Sequence, residues 1–202
     1  MALWLASAPL VLASGSAARR SLLEAAGVPV ELFPADIDER GVEAQARLHD
    51  PVAIAGLLAR EKAAFVAKLH PGRLVLGADQ TLAFADQRFS KPADRSAARA
   101  QLKELAGRTH ALHAAVAFVQ DGAVLFEHVE TARMTMRAFS DDFLDRYLEA
   151  AGGAASASVG GYQLESVGVQ LFERVDGDYF TILGLPLLHA LDFLRRRGCL
   201  AR

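Results

Sequence analysis

The stretch "LVLASGSAARRSLLEAAG", Leu10–Gly27, decides how the rest of the chain is read. Leu10 to Ala13 has strand character, Ser14-Gly15-Ser16-Ala17-Ala18 is small and polar, and a helical pattern follows over Arg19–Ala26. A strand that feeds a helix through a short turn is the opening of an α/β unit. The residues in that turn admit two readings. Ser16 can cap an ordinary helix while Arg19 and Arg20 sit in water. Alternatively, the unpaired N–H groups and positive dipole end of the helix, approached through residues with little side chain, receive an anion beside the arginines.

Working outward, strand and helix patterns keep alternating. Val30–Phe33 and Leu74–Phe84 read as strands, Pro51–Lys68 as a helix, and a further helix runs from about Arg95 to Leu105. Ala111–Val119 and Val124–Arg137 flank Gln120-Asp121-Gly122, which predicts an antiparallel hairpin because Asp-Gly suits a tight turn. The sheet is therefore expected to be mixed, with helices around it. Asp141–Ala150 reads as a helix, and "AAGGAASASVGG" after it as a flexible small-residue stretch, since too little chain follows for another core. Leu171–Val175 and Tyr179–Leu183 flank Asp176-Gly177, a second hairpin signal. Pro186 suits the first turn of a last helix running to about Arg197, and Gly198 can end it. No internal repeat is present.

The bulk properties narrow the classes. A chain of 202 residues can bury a substantial core, and its formal charge of −2 argues against a general nucleic-acid binder. Cations must then be concentrated locally if the ligand is an anion. The single cysteine, Cys199, allows neither an intrachain disulfide nor a cysteine metal cluster, in keeping with a reducing cytoplasm. The apolar start lacks Lys or Arg before its apolar part and is broken by Pro9, so it is not expected to act as a secretory leader. No run of about 18 apolar residues suits a bilayer, and no membrane partner is expected.

Several charged residues need an explanation. Asp79 lies inside "LVLGADQTLAF", where a carboxylate must be paired, hydrogen-bonded or bound to metal. It is either a strand-end residue capping a turn or, at the end of a strand where open α/β sheets bind ligands, a metal ligand or general base. Lys62 falls on the helical stripe Ile54, Leu58, Lys62, Val66, where it either snorkels to water or meets a ligand. Lys91 occupies a restricted position just before Pro92. "PADIDER" places Asp36, Asp38 and Glu39 in a loop, as a solvated acidic segment or as oxygen ligands suited to Mg²⁺. Glu165 in "YQLES" is by itself an ordinary surface glutamate.

Taken in order, "LVLASGSAARRSLL", "DIDE", "LAREKA", "LVLGADQTL", "KPAD", "LAGRTHALHAAVAF", "GGYQLESVGVQLFE" and "GDYFTILGLPL" make the chain resemble the Maf-like nucleoside triphosphate pyrophosphatases. The matching segments extend over nearly the whole of residues 1–202, as one Maf-like domain. The resemblance implies an elongated mixed α/β sheet flanked by helices, with two lobes and a nucleotide-binding cleft, similar to inosine triphosphate pyrophosphatases. It also implies a cytoplasmic enzyme, often a homodimer, that cleaves a nucleotide at its α-phosphorus to a monophosphate and pyrophosphate. A divalent cation, Mg²⁺ or Mn²⁺, is implied as cofactor. Family roles place Ser14, Arg19, Lys62 and Lys91 on phosphates, Glu39 and Asp79 at the metal, and Asp79 in water activation.

The chain also departs from the family pattern. The usual "SxSPRR" reads "SGSAAR", so Ala17 replaces proline and Ala18 replaces the first arginine and its phosphate contact. Relatives with "DT" and a later Gln tend to act on dTTP and UTP, whereas those with "DQ" and a later Glu resemble the 7-methyl-GTP group. Asp79-Gln80 with Glu165 matches the second pattern, making Gln80 and Glu165 the specificity candidates. A dTTP/UTP pyrophosphatase and a non-catalytic nucleotide-binding regulator of septum formation are the alternatives.

Overall fold

In the computed structural model, which describes residues 2–85 and 87–202, seven strands form one mixed sheet in the order β2-β1-β3-β5-β6-β7, with β4 paired to β3. The strands are β1 (Leu10–Leu12), β2 (Val30–Leu32), β3 (Val75–Phe84), β4 (Gln87–Phe89), β5 (Thr109–Gln120), β6 (Ala123–Met136) and β7 (Phe172–Asp176). The helices are α1 (Ala17–Ala25), α2 (Glu39–Ala46), α3 (Pro51–Leu69), α4 (Arg95–Leu105), α5 (Asp141–Ala151), α6 (Ala154–Ala157), α7 (Tyr179–Ile182) and α8 (Leu187–Arg196). β1 runs parallel to both β2 and β3, while β4 on β3 and β7 on β6 are antiparallel. The expected mixed α/β sheet with flanking helices is thus the observed architecture. The expected two lobes correspond to two compact units. One comprises residues up to Gln80, Ala114–Glu130 and Tyr179–Arg202, and the other Thr81–His113 and Thr131–Asp178.

In the first unit the strand alternation of period two sorts the core into two layers. Leu10, Leu12, Leu76, Ala78 and Phe118 pack with Leu23 of α1 and with Ala190, Phe193 and Leu194 of α8. Val11, Ala13, Val75, Ala115 and Ala117 point the other way, onto Ala55, Ala59, Ala63 and Val66 of α3. Strands covered on both faces read as continuous apolar runs, which is why "LVLA" carries no polar alternation. The alanine-rich face of α3 lies very close to β3. A Cβ on Gly77 would sit 2.0 Å from the Ala59 carbonyl oxygen and 2.7 Å from the Ala63 nitrogen. Only glycine fits there.

The second unit buries Leu82, Leu102, Leu105, Leu112, Met134, Met136, Leu144, Leu148 and Leu171. Its polar core is specific: His110 Nε2 and the Tyr162 hydroxyl lie 2.6 Å apart, and the Tyr147 hydroxyl donates to the Gly161 carbonyl at 3.0 Å. Burial pushes the His110 pKa down to about 4. On its surface, Arg99 and Lys103 of α4 pair with Asp141 and Asp145 of α5. Exposed pairs of this kind add little stability.

Three expectations need correction, and one strand was not anticipated. Glu39 is not in a loop: Asp38 caps α2 by accepting from the Gly41 N–H at 3.0 Å, and Glu39 is that helix's first residue. The short strand β4 had no pattern of its own to announce it. "AAGGAASASVGG" is structured, with α6 followed by a tight turn at Val159–Gly161; Gly160 has φ +82° and is packed so that a Cβ would meet Leu82 Cδ1 at 2.6 Å. Tyr179–Leu183 is not a hairpin strand, because Tyr179–Ile182 forms α7 and β7 pairs instead with β6. The predicted turn between β5 and β6 is present, with Asp121 and Gly122 both at positive φ. Among the described residues, no helix is long and apolar enough to cross a membrane.

Candidate active site

The turn after β1 is held by its own side chains. Ser16 caps α1, accepting from the Arg19 N–H, and Ser14 Oγ accepts from the Ser16 N–H at 3.3 Å. The first of the two readings therefore holds for Ser16, but not for Arg19. The Arg19 side chain folds inward, where Nη1 donates to Ser14 Oγ at 3.0 Å and to the Ala78 carbonyl at 2.9 Å, and Nε donates to the Gly184 carbonyl at 2.8 Å. Arg20 turns to solvent and pairs with Glu24 at 2.8 Å. Burial pushes the Arg19 pKa down, while Asp79 and then Glu39 pull it back up. It remains a cation, as guanidinium does in proteins. With Nε and Nη1 engaged in three hydrogen bonds, the fork is fixed in direction.

Lys62 does not snorkel. Ile54, Leu58 and Val66 on its stripe are buried, and its Nζ lies 2.6 Å from Asp79 Oδ1 and 2.7 Å from Glu39 Oε1. The lysine and aspartate side chains are 13% and 11% exposed, so this is a largely desolvated pair, whereas Glu39 at 49% reaches it from the water side. The geometry follows from two periodicities. Lys62 sits one turn beyond Leu58 on α3, and Asp79 shares with Val75 the face of β3 that packs on α3. Gly77, between them on that face, sets the spacing.

Gln80, the next residue, points to the opposite face. Its Nε2 donates to the Thr181 and Ile182 carbonyls, both at 3.0 Å, and so ties α7 to β3. Both amide hydrogens are consumed in this way, which makes Gln80 a residue that positions the 181–184 segment. Arg19 grips the same segment at Gly184.

Ser14, Arg19, Glu39, Lys62, Asp79 and Gln80 are therefore brought together in the first unit. Lys91 and Glu165 belong to the second. Lys91 is exposed on the loop after β4, where Gln101 Nε2 holds the preceding Ser90 carbonyl at 2.8 Å. Glu165 is exposed in a turn before a short helical segment at Val167–Leu171, and Gly168 packs against the Gln163 backbone there. Sequence reasoning missed four contributors. The carbonyls of Thr181, Ile182 and Gly184 leave no signal in side-chain types. Gly77 did leave one, since a glycine inside an apolar strand marks close backbone approach.

Asp79 and Glu39 offer hard carboxylate oxygens converging on one ammonium, a donor set that suits Mg²⁺ or Mn²⁺ once the lysine charge is directed to a phosphate. The residues fit such an ion chemically. A different group, His128, Glu130 and His189, presents three ligand atoms within 4.8 Å of one another in the same unit.

Residues 9–197 match the family model described as "Maf-like protein". A nucleoside triphosphate pyrophosphatase of Rhodopseudomonas palustris strain HaA2 is 59% identical over 201 residues, covering 100% of both chains. One from a second strain of that species, CGA009, is 57% identical over 201 residues with the same coverage. A protein of Mesorhizobium japonicum named 7-methyl-GTP pyrophosphatase is 50% identical over 195 residues, 95% of this chain and 97% of its own.

Proposed function

The chain belongs to the Maf family, and from that premise we propose that residues 1–202 act as one domain that hydrolyses a nucleoside triphosphate to its monophosphate and pyrophosphate, with 7-methyl-GTP as preferred substrate. The observation that carries this reading is the Lys62 ammonium held between Asp79 and Glu39, in the same unit as the fixed fork of Arg19. A triphosphate carries about four negative charges near neutral pH, and its transition state is stabilised by fixed cations rather than by covalent chemistry. Arg19 and Ser14 would receive phosphate oxygens at the start of α1. Lys62, released from one carboxylate, would follow the charge that develops on the pyrophosphate leaving group, and Lys91 is a further candidate for a phosphate contact.

Asp79 then takes the proton of the attacking water. It is a nearly buried carboxylate whose partner lysine can leave it for the substrate, so substrate binding itself exposes the base. A divalent ion on Glu39 and Asp79 would supply charge neutralisation of the phosphates. For the base, Glu165 is a pure acceptor suited to the N–H edge of guanine, and methylation at N7 makes that edge more acidic. Support for this assignment is the Asp79-Gln80 and Glu165 pattern together with the Mesorhizobium relative's name.

The deciding experiment incubates the purified protein with Mg²⁺ or Mn²⁺ and 7-methyl-GTP, GTP, dTTP or UTP, and identifies the products. Monophosphate and pyrophosphate are expected, with the highest kcat/KM for 7-methyl-GTP. Release of orthophosphate and a diphosphate, or full turnover in excess chelator, contradicts the reaction. A preference for dTTP or UTP keeps the reaction and overturns the base assignment. Asp79→Asn should lower kcat by about 10²- to 10⁴-fold.

A further inference from the structure

We propose that His128, Glu130 and His189 form a second cation site, separate from Glu39 and Asp79, for a borderline divalent metal of the Zn²⁺ class. His128 and Glu130 are two apart on β6 and so share a face, and His189 comes from the first turn of α8. The ligand atoms of the three lie within 4.8 Å of one another. His128 Nε2 is buried and has no hydrogen-bond partner among the described residues. The two imidazole rings are apposed at 3.7 Å between centroids, tilted by 29°, and His189 Nε2 lies 3.7 Å from Glu130 Oε2.

A buried ring nitrogen without a partner is costly to keep unless something else binds it. Two imidazoles and a carboxylate with ligand atoms gathered within 4.8 Å are the three-protein-ligand set of an open zinc site. Such ligands around a tetrahedral ion stand about 3.4 Å apart with bonds of about 2.0–2.1 Å, and because the lone pairs lie in the ring planes, His189 would rotate out of its stack on His128 to close the set. That side chain is 45% exposed and can make the turn. A supporting contact is already built: the Thr181 hydroxyl donates to Glu130 Oε2 at 3.0 Å and orients the carboxylate. Imidazole donors select Zn²⁺, Co²⁺ or Ni²⁺ over Mg²⁺, which prefers oxygen.

Binding is measured without any turnover, so this inference stands or falls independently of the pyrophosphatase reading. The full chain, stripped with chelator, is titrated with Co²⁺ and followed by its visible absorption, then with Zn²⁺ in competition. One Co²⁺ per chain with an intense tetrahedral-type spectrum is expected, displaced by Zn²⁺ and indifferent to millimolar Mg²⁺. His189→Ala, a change at the surface, should weaken Zn²⁺ affinity by about 100-fold or more, and His128→Phe, which keeps the ring stack, should do the same. Zn²⁺ should also broaden or shift the ring resonances of both histidines. The proposal is overturned by absence of stoichiometric binding, by affinity unchanged in both variants, or by a weak octahedral spectrum that Mg²⁺ abolishes.

Discussion

Replacing Lys62 with methionine separates the structural work of the lysine from its chemical work. The substitution keeps the apolar stem in the stripe with Leu58 and Val66 but strips Asp79, only 11% exposed, of its ammonium at 2.6 Å. Removing one partner of a buried pair costs about 3–5 kcal/mol, because the remaining charge is left desolvated. The lower end applies here, since Arg19 is held nearby on the Ala78 carbonyl and acts on Asp79 through its charge. Glu39, half in water, adds nothing to the cost. The mirror change is milder: in Asp79→Asn, Lys62 retains Glu39 at 2.7 Å, and the loss should be about 1 kcal/mol. Removing both charges in Lys62→Met/Asp79→Asn should recover about 1–3 kcal/mol relative to the sum of the single changes. The assay is urea unfolding of the four proteins at pH 7, followed by the fluorescence of Trp4, the only tryptophan and part of the same unit. With a slope of about 2–3 kcal/mol per molar, Lys62→Met should lower the midpoint by about 1 M. Turnover should be absent in every variant lacking Lys62, including the stabilised double one. Equal destabilisation by the two single changes, or no recovery in the double, would refute the argument from desolvation.

Three further outcomes follow from the same geometry. His110 has its pKa pushed by burial from 6.5 to about 4, so above 6.5 it is neutral in both states. Between 6.5 and 4 the unfolded chain takes a proton that the fold refuses. Stability should fall by about 1.4 kcal/mol for each pH unit across that window, and His110→Phe, compared by urea midpoints at pH 7 and 5, should flatten the acid limb. Gly77→Ala should cost about 3 kcal/mol or more, since the new methyl meets backbone atoms of α3; a soluble protein with an unchanged melting temperature would show that α3 lies farther from β3. Glu165→Gln should narrow the preference for 7-methyl-GTP over dTTP, whereas equal losses of kcat/KM on every nucleotide would move Glu165 from base reading to general catalysis.

Most of the architecture was legible because it is written in periodicity. β1, α3, β3 and α4 appear within a residue or so of where their apolar patterns end, and Asp-Gly marks the β5–β6 turn correctly. The second Asp-Gly misled, because Tyr179-Phe180-Thr181-Ile182 is β-prone by composition yet is wound into one helical turn, whose carbonyls Gln80 holds. Tertiary hydrogen bonding overrode local preference there. The small-residue stretch after α5 looked flexible for a related reason: Gly160 and Gly161 are packed against Leu82 and Leu102, and that contact is invisible without the partner. For the site, Asp79 in an apolar strand and Lys62 on an apolar stripe each pointed to something unpaired. That they answer one another follows only once β3 lies on α3. Glu130 and the two histidines are spread over β6 and α8, and nothing in their spacing links them.

Asp79 and Gln80 are neighbours in the chain but serve opposite layers, and this makes β3 far less tolerant of insertions and deletions than of substitutions. Losing any one of Leu76, Gly77 and Ala78 would slide Asp79 and Gln80 by one step and exchange their faces. The carboxylate would then confront the Thr181 and Ile182 carbonyls, three acceptors with no hydrogen among them, while the neutral amide met the ammonium of Lys62. Compensation at a single other position could not mend both faces at once. Changes in the length of this coding segment should therefore be purged from a selected library, even where point changes at its apolar positions survive.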